Sequence, residues 1–524
     1  MSKGKTWSLA ALCAALACGV AWPTLAKPKG GLTPVVSLHD GKLQGLVKDG
    51  TWQFLGIPFA APPVGELRWR PPQPPDPWRG VRKAVTFAAS CPQGHDIGDF
   101  AKPSQTEDCL YLNVYAPARP SRRPRAVMLW FPGGALFAGA ADDYDGAKLS
   151  RRGDIVLVTM NYRIGELGFF SHPAIDAEGH DGANYGFMDQ RFALQWIRDN
   201  IAKFGGDPRD VTIAGQSAGG TSVIAQMISP GSKGLFRKVI NESGGRMIMT
   251  TKAEATRIGQ KFAADAGCPD QSAACLRALS VEQIVAKQTG HYASATVDGA
   301  FIPIQPYDAF QTGQYNHAPV LNGVAGDEQG FFQAINEETQ GPLTAAGYRD
   351  YVSRTFGAAH VDEVMKLYPL DSYPSPSLAE LAASQMYRGC VGEQLNRWIS
   401  AYDPVYAYQF DDRSTPSYLK PKSFPLGAYH TVELVYLFPG FHGGLGTARP
   451  LNKAQAKLSD ELVDNWATFA RMGDPNPVGV FGPWRRYDAN KDNVYSIMIP
   501  ASKDKPGYGD RYNCAYYDRI TVYP

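Results

Sequence analysis

The chain has 524 residues, 52 of them Lys or Arg and 50 Asp or Glu, for a formal net charge of +2. This balance, with no long block of one sign, argues against nucleic acid or an anionic membrane surface as a partner and for a small ligand. Aromatics at 11%, with plentiful Gly and Pro, fit a globular protein with many functional loops and give little support to a disordered chain.

In chain order, Lys3 and Lys5 precede an apolar run over residues 9–22 and then Thr24-Leu25-Ala26. That pattern predicts a secretory signal peptide cleaved after Ala26, with export to the periplasm or the medium. The run is short for a membrane span, and no later stretch reaches the roughly 20 apolar residues a spanning helix needs. An uncleaved anchor and lipid attachment at Cys18 are the lesser readings. The mature chain keeps Cys91, Cys109, Cys268, Cys275, Cys390 and Cys514, and an even count in an exported chain favours disulfides. Sequence neighbours close short loops most readily, which suggests Cys91 with Cys109 and Cys268 with Cys275, leaving Cys390 with Cys514. No C-x-x-C or nearby histidine cluster supports a metal site instead.

Residues 35–59 read as antiparallel strands ahead of an irregular, proline-rich 62–77. From about residue 125, apolar runs at 126–131, 154–162, 211–215, 238–241, 318–323 and 405–410 read as buried strands of a mostly parallel sheet. Between them, residues 185–204 carry Phe187, Leu194, Ile197, Ile201 and Phe204 at helical spacing and stop at Gly205, a good C-cap. Strand alternating with helix means an α/β fold. Residues 345–400 predict helical excursions that cap the active site. With no internal repeat and no linker, residues 27–524 read as one domain.

The chemistry concentrates at Gly215-Gln216-Ser217-Ala218-Gly219, between the strand at 211–214 and a helix-compatible 221–228. A bare G-x-S-x-G is weak evidence, but strand before and helix after make it a nucleophile elbow around Ser217. A serine hydroxyl needs a histidine to take its proton, and the histidine needs a carboxylate to fix its tautomer. On an α/β-hydrolase sheet these follow in the order Ser, acid, His. Asp327 and Glu328, just past a strand end, are both open as the acid. Of the later histidines, His360 falls in a helical region and His442 in a loop with no strand behind it. His430 follows the strand at 405–410 and is favoured by position. Residues 131–136 follow a strand with small side chains, so the backbone N–H groups of Gly134, Ala135 and Ala218 are the candidate oxyanion donors.

With those residues in hand, the chain resembles the type B carboxylesterases, the lineage that includes the cholinesterases, across nearly the whole mature sequence. The run from Phe204 to Gly219 matches one family signature and Glu107-Asp-Cys-Leu-Tyr-Leu-Asn-Val-Tyr-Ala-Pro117 the other, and residues 56–63, 161–165 and 182–191 also look like family segments. The resemblance implies an α/β-hydrolase fold with Glu328 as the acid and His430 as the base. It supports all three disulfide pairs and implies Arg68 with Glu107 and Arg163 with Asp189 as structural ion pairs. It also places Ser243 and Glu433 as hydrogen-bonding supports of the histidine, with Gln216 beside the nucleophile.

Three positions and one loop depart from the pattern. Gln216 stands where cholinesterases carry Glu, and the loop from Cys91 to Cys109 holds no Trp, so both partners of a choline cation are missing. Pro132 replaces a usual His or Tyr, and Thr431 a usual Gly. The resulting expectation is an exported serine ester hydrolase acting through an acyl-enzyme on a neutral small or medium ester, with no metal or cofactor. A non-catalytic adhesion protein of the same fold is the rival from another class, and an amide hydrolase or acyltransferase the rival within enzymes. Oligomeric state is not legible.

Overall fold

The computed structural model describes residues 1, 31–95, 102–180, 182–288, 295–441, 448–477, 483–521 and 523. The apolar run and cleavage point of the expected signal peptide, and His442, lie outside the described residues.

A twelve-stranded sheet organises the described residues. In chain order its strands are β1 (Gly31–Leu32), β2 (Leu46–Lys48), β3 (Thr51–Pro58), β4 (Tyr111–Pro117), β5 (Arg125–Phe131) and β6 (Val156–Met160). They continue with β7 (Gly206–Gln216), β8 (Lys238–Glu242), β9 (Val320–Ala325), β10 (Val405–Phe410), β11 (Val494–Ile497) and β12 (Lys503–Lys505). In space the order is β1-β2-β3-β4-β6-β5-β7-β8-β9-β10-β11-β12. From β6 to β11 every pairing is parallel, while β1 to β4 at one edge and β12 at the other join antiparallel.

The parallel strands are continuous apolar runs because both faces are covered. Along β5, Val127, Leu129 and Phe131 pack into one core with the helices α1 (Tyr185–Asn200), α2 (Ala218–Ile228) and α4 (Pro376–Ser400). The alternate residues Met128 and Trp130 pack into a second core with α5 (Lys453–Met472). The predicted helix at 185–204 is α-helical through Asn200, tightens to a 3₁₀ turn over Ile201–Phe204, and ends on left-handed Gly205 at φ 83°. The strand expected at 211–215 begins earlier, at Gly206, but its register against β5 shifts between Gly206 and Val211. Pro208, which has no N–H to give the ladder, sits inside that irregularity. The 345–400 region is helical over Ala345–Phe356, Val361–Leu367 and α4. Among the described residues no helix is long and apolar enough to cross a membrane.

Three bridges tie the chain: Cys91–Cys109, Cys268–Cys275 and Cys390–Cys514. Arg68 grips Glu107 with contacts of 2.8 and 2.6 Å, and Arg163 grips buried Asp189 with contacts of 2.8 and 2.7 Å.

Candidate active site

Four adjacent parallel strands deliver the candidate residues to one edge of the sheet, the C-terminal edge where such sheets place ligands. β7 ends at Gln216 and gives Ser217, β8 ends at Glu242 and gives Ser243, and β9 ends at Ala325, three residues before Glu328. The loop after β10 returns His430 to the same edge, and Ser217, Ser243, Glu328 and His430 line one cavity of about 440 Å³.

Ser217 sits at φ 59°, ψ −120°, a conformation that costs strain for a side chain bearing Cβ. The turn is held by the Ser217 N–H donating to the Glu242 carbonyl at 2.8 Å. The residues two before and two after Ser217 must be glycine because the chain doubles back on itself. A Cβ at Gly219 would lie 2.1 Å from the Phe131 carbonyl oxygen, and one at Gly215 2.5 Å from the Gly219 carbonyl carbon. The half-buried Ser217 side chain opens onto the cavity and has no hydrogen bond of its own among the described residues.

Glu328, almost fully buried, caps α3 (Gln329–Gln340) and holds a short contact to Nδ1 of His430. Its other oxygen accepts from Ser243 Oγ at 2.6 Å and from the Ala325 N–H at 2.8 Å. Burial pushes its pKa up, but the His430 imidazole, Arg388 and Ser243 together outweigh burial and hold the carboxyl below its ordinary value. Asp327, the alternative acid, points elsewhere: it pairs with Arg413 at 2.7 Å and accepts from the Ala428 N–H at 2.8 Å. His360 lies in a short 3₁₀ turn, Ala358–His360, away from this cavity.

The supports expected around His430 are arranged differently from that expectation. Neither Ser243 nor Glu433 bonds the imidazole among the described residues. Ser243 reaches it only through Glu328, and the Glu433 carboxyl is buried with Oε2 unpartnered. Gln216 takes the near position, with Nε2 3.4 Å from both ring nitrogens. Burial first, and then the fields of Glu242 and Glu328, push the Glu433 carboxyl well above its ordinary pKa. Glu242, which accepts from Trp466 Nε1 at 2.6 Å, is pushed up to about 8 by burial. Thr431 stands at φ 76°, where glycine would be unstrained, and its hydroxyl is engaged by Tyr418 and by the His430 carbonyl.

The candidate oxyanion loop is a turn with Gly134 at φ 114° and Ala135 at φ 56°. A Cβ at Gly134 would fall 2.1 Å from the Ala138 carbonyl oxygen, so the turn closes only around glycine. The Gly133 N–H is taken by the Tyr144 hydroxyl at 3.1 Å. The N–H groups of Gly134 and Ala135 have no acceptor among the described residues, and Ala218, first in α2, has an N–H its helix leaves unpaired. Ala135 and Ala218 line the cavity with Ser217, whereas Gly134 lies buried just behind it.

Sequence reasoning missed Glu242, Tyr144, Tyr418, Arg246 and Arg388. Glu242 and Arg246 flank Ser243 without any local pattern to mark them, and Tyr144, Tyr418 and Arg388 lie far from the elbow in sequence.

The family model described as the carboxylesterase family matches residues 32–514. The chain is 33% identical to para-nitrobenzyl esterase of Bacillus subtilis over 90% of its length and 96% of that protein's. It is 34% identical to the medium-chain fatty acyl-CoA hydrolase precursor of Anas platyrhynchos, covering 84% of this chain and 83% of the relative. It is also 33% identical to cocaine esterase of Homo sapiens, covering 94% and 93%. A solved structure of PNB esterase superposes with a TM-score of 0.79 at 28% identity, spanning 93% of this chain and 99% of the other.

Proposed function

The chain belongs to the carboxylesterase family and is a carboxylic-ester hydrolase with the α/β-hydrolase fold; from that premise we propose that it works through Ser217, His430 and Glu328. Ser217 Oγ attacks the ester carbonyl while Nε2 of His430 takes its proton. Glu328, anchored by Ser243 and the Ala325 N–H, holds Nδ1–H and stabilises the imidazolium. The N–H groups of Gly134, Ala135 and Ala218 receive the developing oxyanion. Histidine then returns the proton to the departing alcohol, and water releases the acid from the acyl-enzyme by the same steps in reverse.

The observation that carries this reading is the buried contact between Glu328 and His430 on the wall of the cavity onto which Ser217 opens. With Gln216 in place of a carboxylate, the elbow offers no counter-charge to a cationic head group, which favours a small or medium ester other than a choline ester. Export to the periplasm or the medium goes with this reading, since three disulfides suit an oxidising compartment.

Ser217→Ala is expected to lower kcat/KM on p-nitrophenyl butyrate by roughly 10⁴ to 10⁶ and to abolish fluorophosphonate labelling, with the thermal melt unchanged. A variant that keeps wild-type turnover sinks the assignment. Failure of the wild-type protein to take up the probe would favour the adhesion-protein reading instead. Ester turnover measured with added alcohols and amines separates hydrolysis from acyl transfer.

A further inference from the structure

We propose that the ester this cavity takes carries a carboxylate a few bonds from the scissile carbonyl, received by Arg246 and Arg388. The inference rests on the reading of Ser217 as nucleophile and narrows its substrate.

Both arginines line the same cavity as Ser217 and His430. Arg246 follows Ser243 by three residues and is open to the cavity. Arg388, on α4, lies over the Phe332 ring at 4.4 Å, and that ring lies 5.1 Å from the ring of His430. The guanidinium is therefore separated from the catalytic imidazole by one aromatic ring.

Neither cation has an ion-pair partner among the described residues. Arg388 donates to the neutral Gln329 Oε1 at 3.3 Å, and its Nε is buried with no partner. The contrast within the molecule is sharp, because the buried guanidiniums of Arg68 and Arg163 are each gripped by a carboxylate at two points. Glu328 and Glu380 both feel the field of Arg388, but neither forms an ion pair with it, and Glu380 Oε2 is buried without a partner among the described residues. Glu328 is bonded by His430, Ser243 and the Ala325 N–H, and Glu380 accepts from Gln329 Nε2 at 2.7 Å. Burial pushes Glu380 up to about 7, against the fields of Arg354 and Arg388, which pull it down. Although Arg246 is exposed, desolvation by the surrounding protein lowers its pKa, and Tyr387 opposes that shift.

The guanidinium of Arg388, half-buried against an aromatic ring with no ion pair among the described residues, is costly to leave unmet, while Arg246 stands exposed at the cavity lining. A ligand carboxylate meets both through charge-assisted, often bidentate hydrogen bonds. Tyr387, Tyr517 and Tyr523 line the same cavity and add ring faces around the anion, although the Tyr523 hydroxyl donates to Gln394 Oε1. This revises the neutral ester expected from Gln216. Loss of a carboxylate at position 216 removes the partner of a cation, and the two arginines supply the partner of an anion.

The test compares kcat/KM at neutral pH and low salt for two matched pairs. One is monoethyl against diethyl adipate; the other is the butyrate ester of ω-hydroxyhexanoic acid against that of its primary amide. The wild-type enzyme is expected to favour the anionic member of at least one pair by roughly tenfold or more, with the preference shrinking in high salt. Arg246→Gln and Arg388→Gln should each cut that ratio by about tenfold, and Arg246→Lys should keep part of it. No anionic preference in either pair overturns the proposal, as does a ratio unchanged in the double Arg→Gln variant. Turnover of diethyl adipate and p-nitrophenyl butyrate, lost on Ser217→Ala, leaves the nucleophile reading standing whatever the pairs show. If no ester is hydrolysed at all, both readings fall.

Discussion

Three glutamates are buried at the strand edge, and their surroundings push them apart. Glu328, given a histidine, a serine hydroxyl and a backbone N–H, is held below its ordinary pKa, whereas Glu242 is pushed up to about 8 and Glu433 well up. Divergent titration in neighbouring carboxyls is how one site assigns an anionic role to one group and a neutral role to another. The sign for Glu242 follows from its ordinary value of 4.5. Above that value the unfolded chain ionises while the folded protein keeps the carboxyl protonated, so stability falls as pH rises until the folded group also ionises near 8. Glu242→Gln keeps an acceptor for Trp466 and removes the titration. The variant should melt above wild type at neutral pH, by up to roughly 3 kcal/mol, and lose that advantage near pH 5. Melts at several pH values check this, and a difference independent of pH sinks it. At this scale the sequence shows Ser217 clearly, because an elbow is local. Position alone leaves Asp327 and Glu328 undivided, and only the family resemblance favours Glu328, because what separates them is Arg413 and the Ala428 N–H on one side and His430 on the other, all distant in the chain.

The elements divide the same way. Strands β5, β6 and β10 are legible because each is an apolar run buried along its whole length on both faces. Edge strands such as β1 and β12 are only two and three residues long, the first exposed and the second partly buried, so they carry no periodicity to read. The elbow depends on the close approach of β5, β7 and α2, which gives its glycines unequal weight against others in the fold. Gly219 lies in a helix, yet an added Cβ would meet the Phe131 carbonyl at 2.1 Å, while Gly234 is left-handed at φ 79° with open space around it. Gly219→Ala should therefore cost more than about 3 kcal/mol and take the activity with it, because backbone must move. Gly234→Ala should cost only about 1 to 2 kcal/mol of left-handed strain. Urea melts of the two variants compare these directly, and equal losses would refute the packing account of the elbow.

At the scale of the whole molecule, the +2 balance that spoke against nucleic acid says nothing about Arg246 and Arg388, because composition sums charge while a site is made by its placement. The cavity that gathers them is closed by segments far apart in sequence. Arg388 and Val391 come from α4, and Tyr517 from α6 (Cys514–Ile520). The Cys390–Cys514 bridge, 124 residues apart in sequence, joins those two helices, whereas Cys268–Cys275 spans only 7. A cross-link stabilises mainly by restricting the unfolded chain, and the gain grows with the logarithm of the loop it closes. Removing the long bridge with Cys390→Ala and Cys514→Ala should cost up to about 5 kcal/mol, against about 2.5 kcal/mol for the same change at Cys268 and Cys275. The long bridge also holds the cavity wall, so its loss should raise KM for bulky esters several-fold more than for p-nitrophenyl acetate, as a loosened wall gives up packing around the larger substrate. Melts and kinetics on the two double variants test both halves. If the short-loop variant proves the less stable, or if KM rises equally for small and bulky esters, Cys390–Cys514 is not what holds α6 against α4 as a wall of the site.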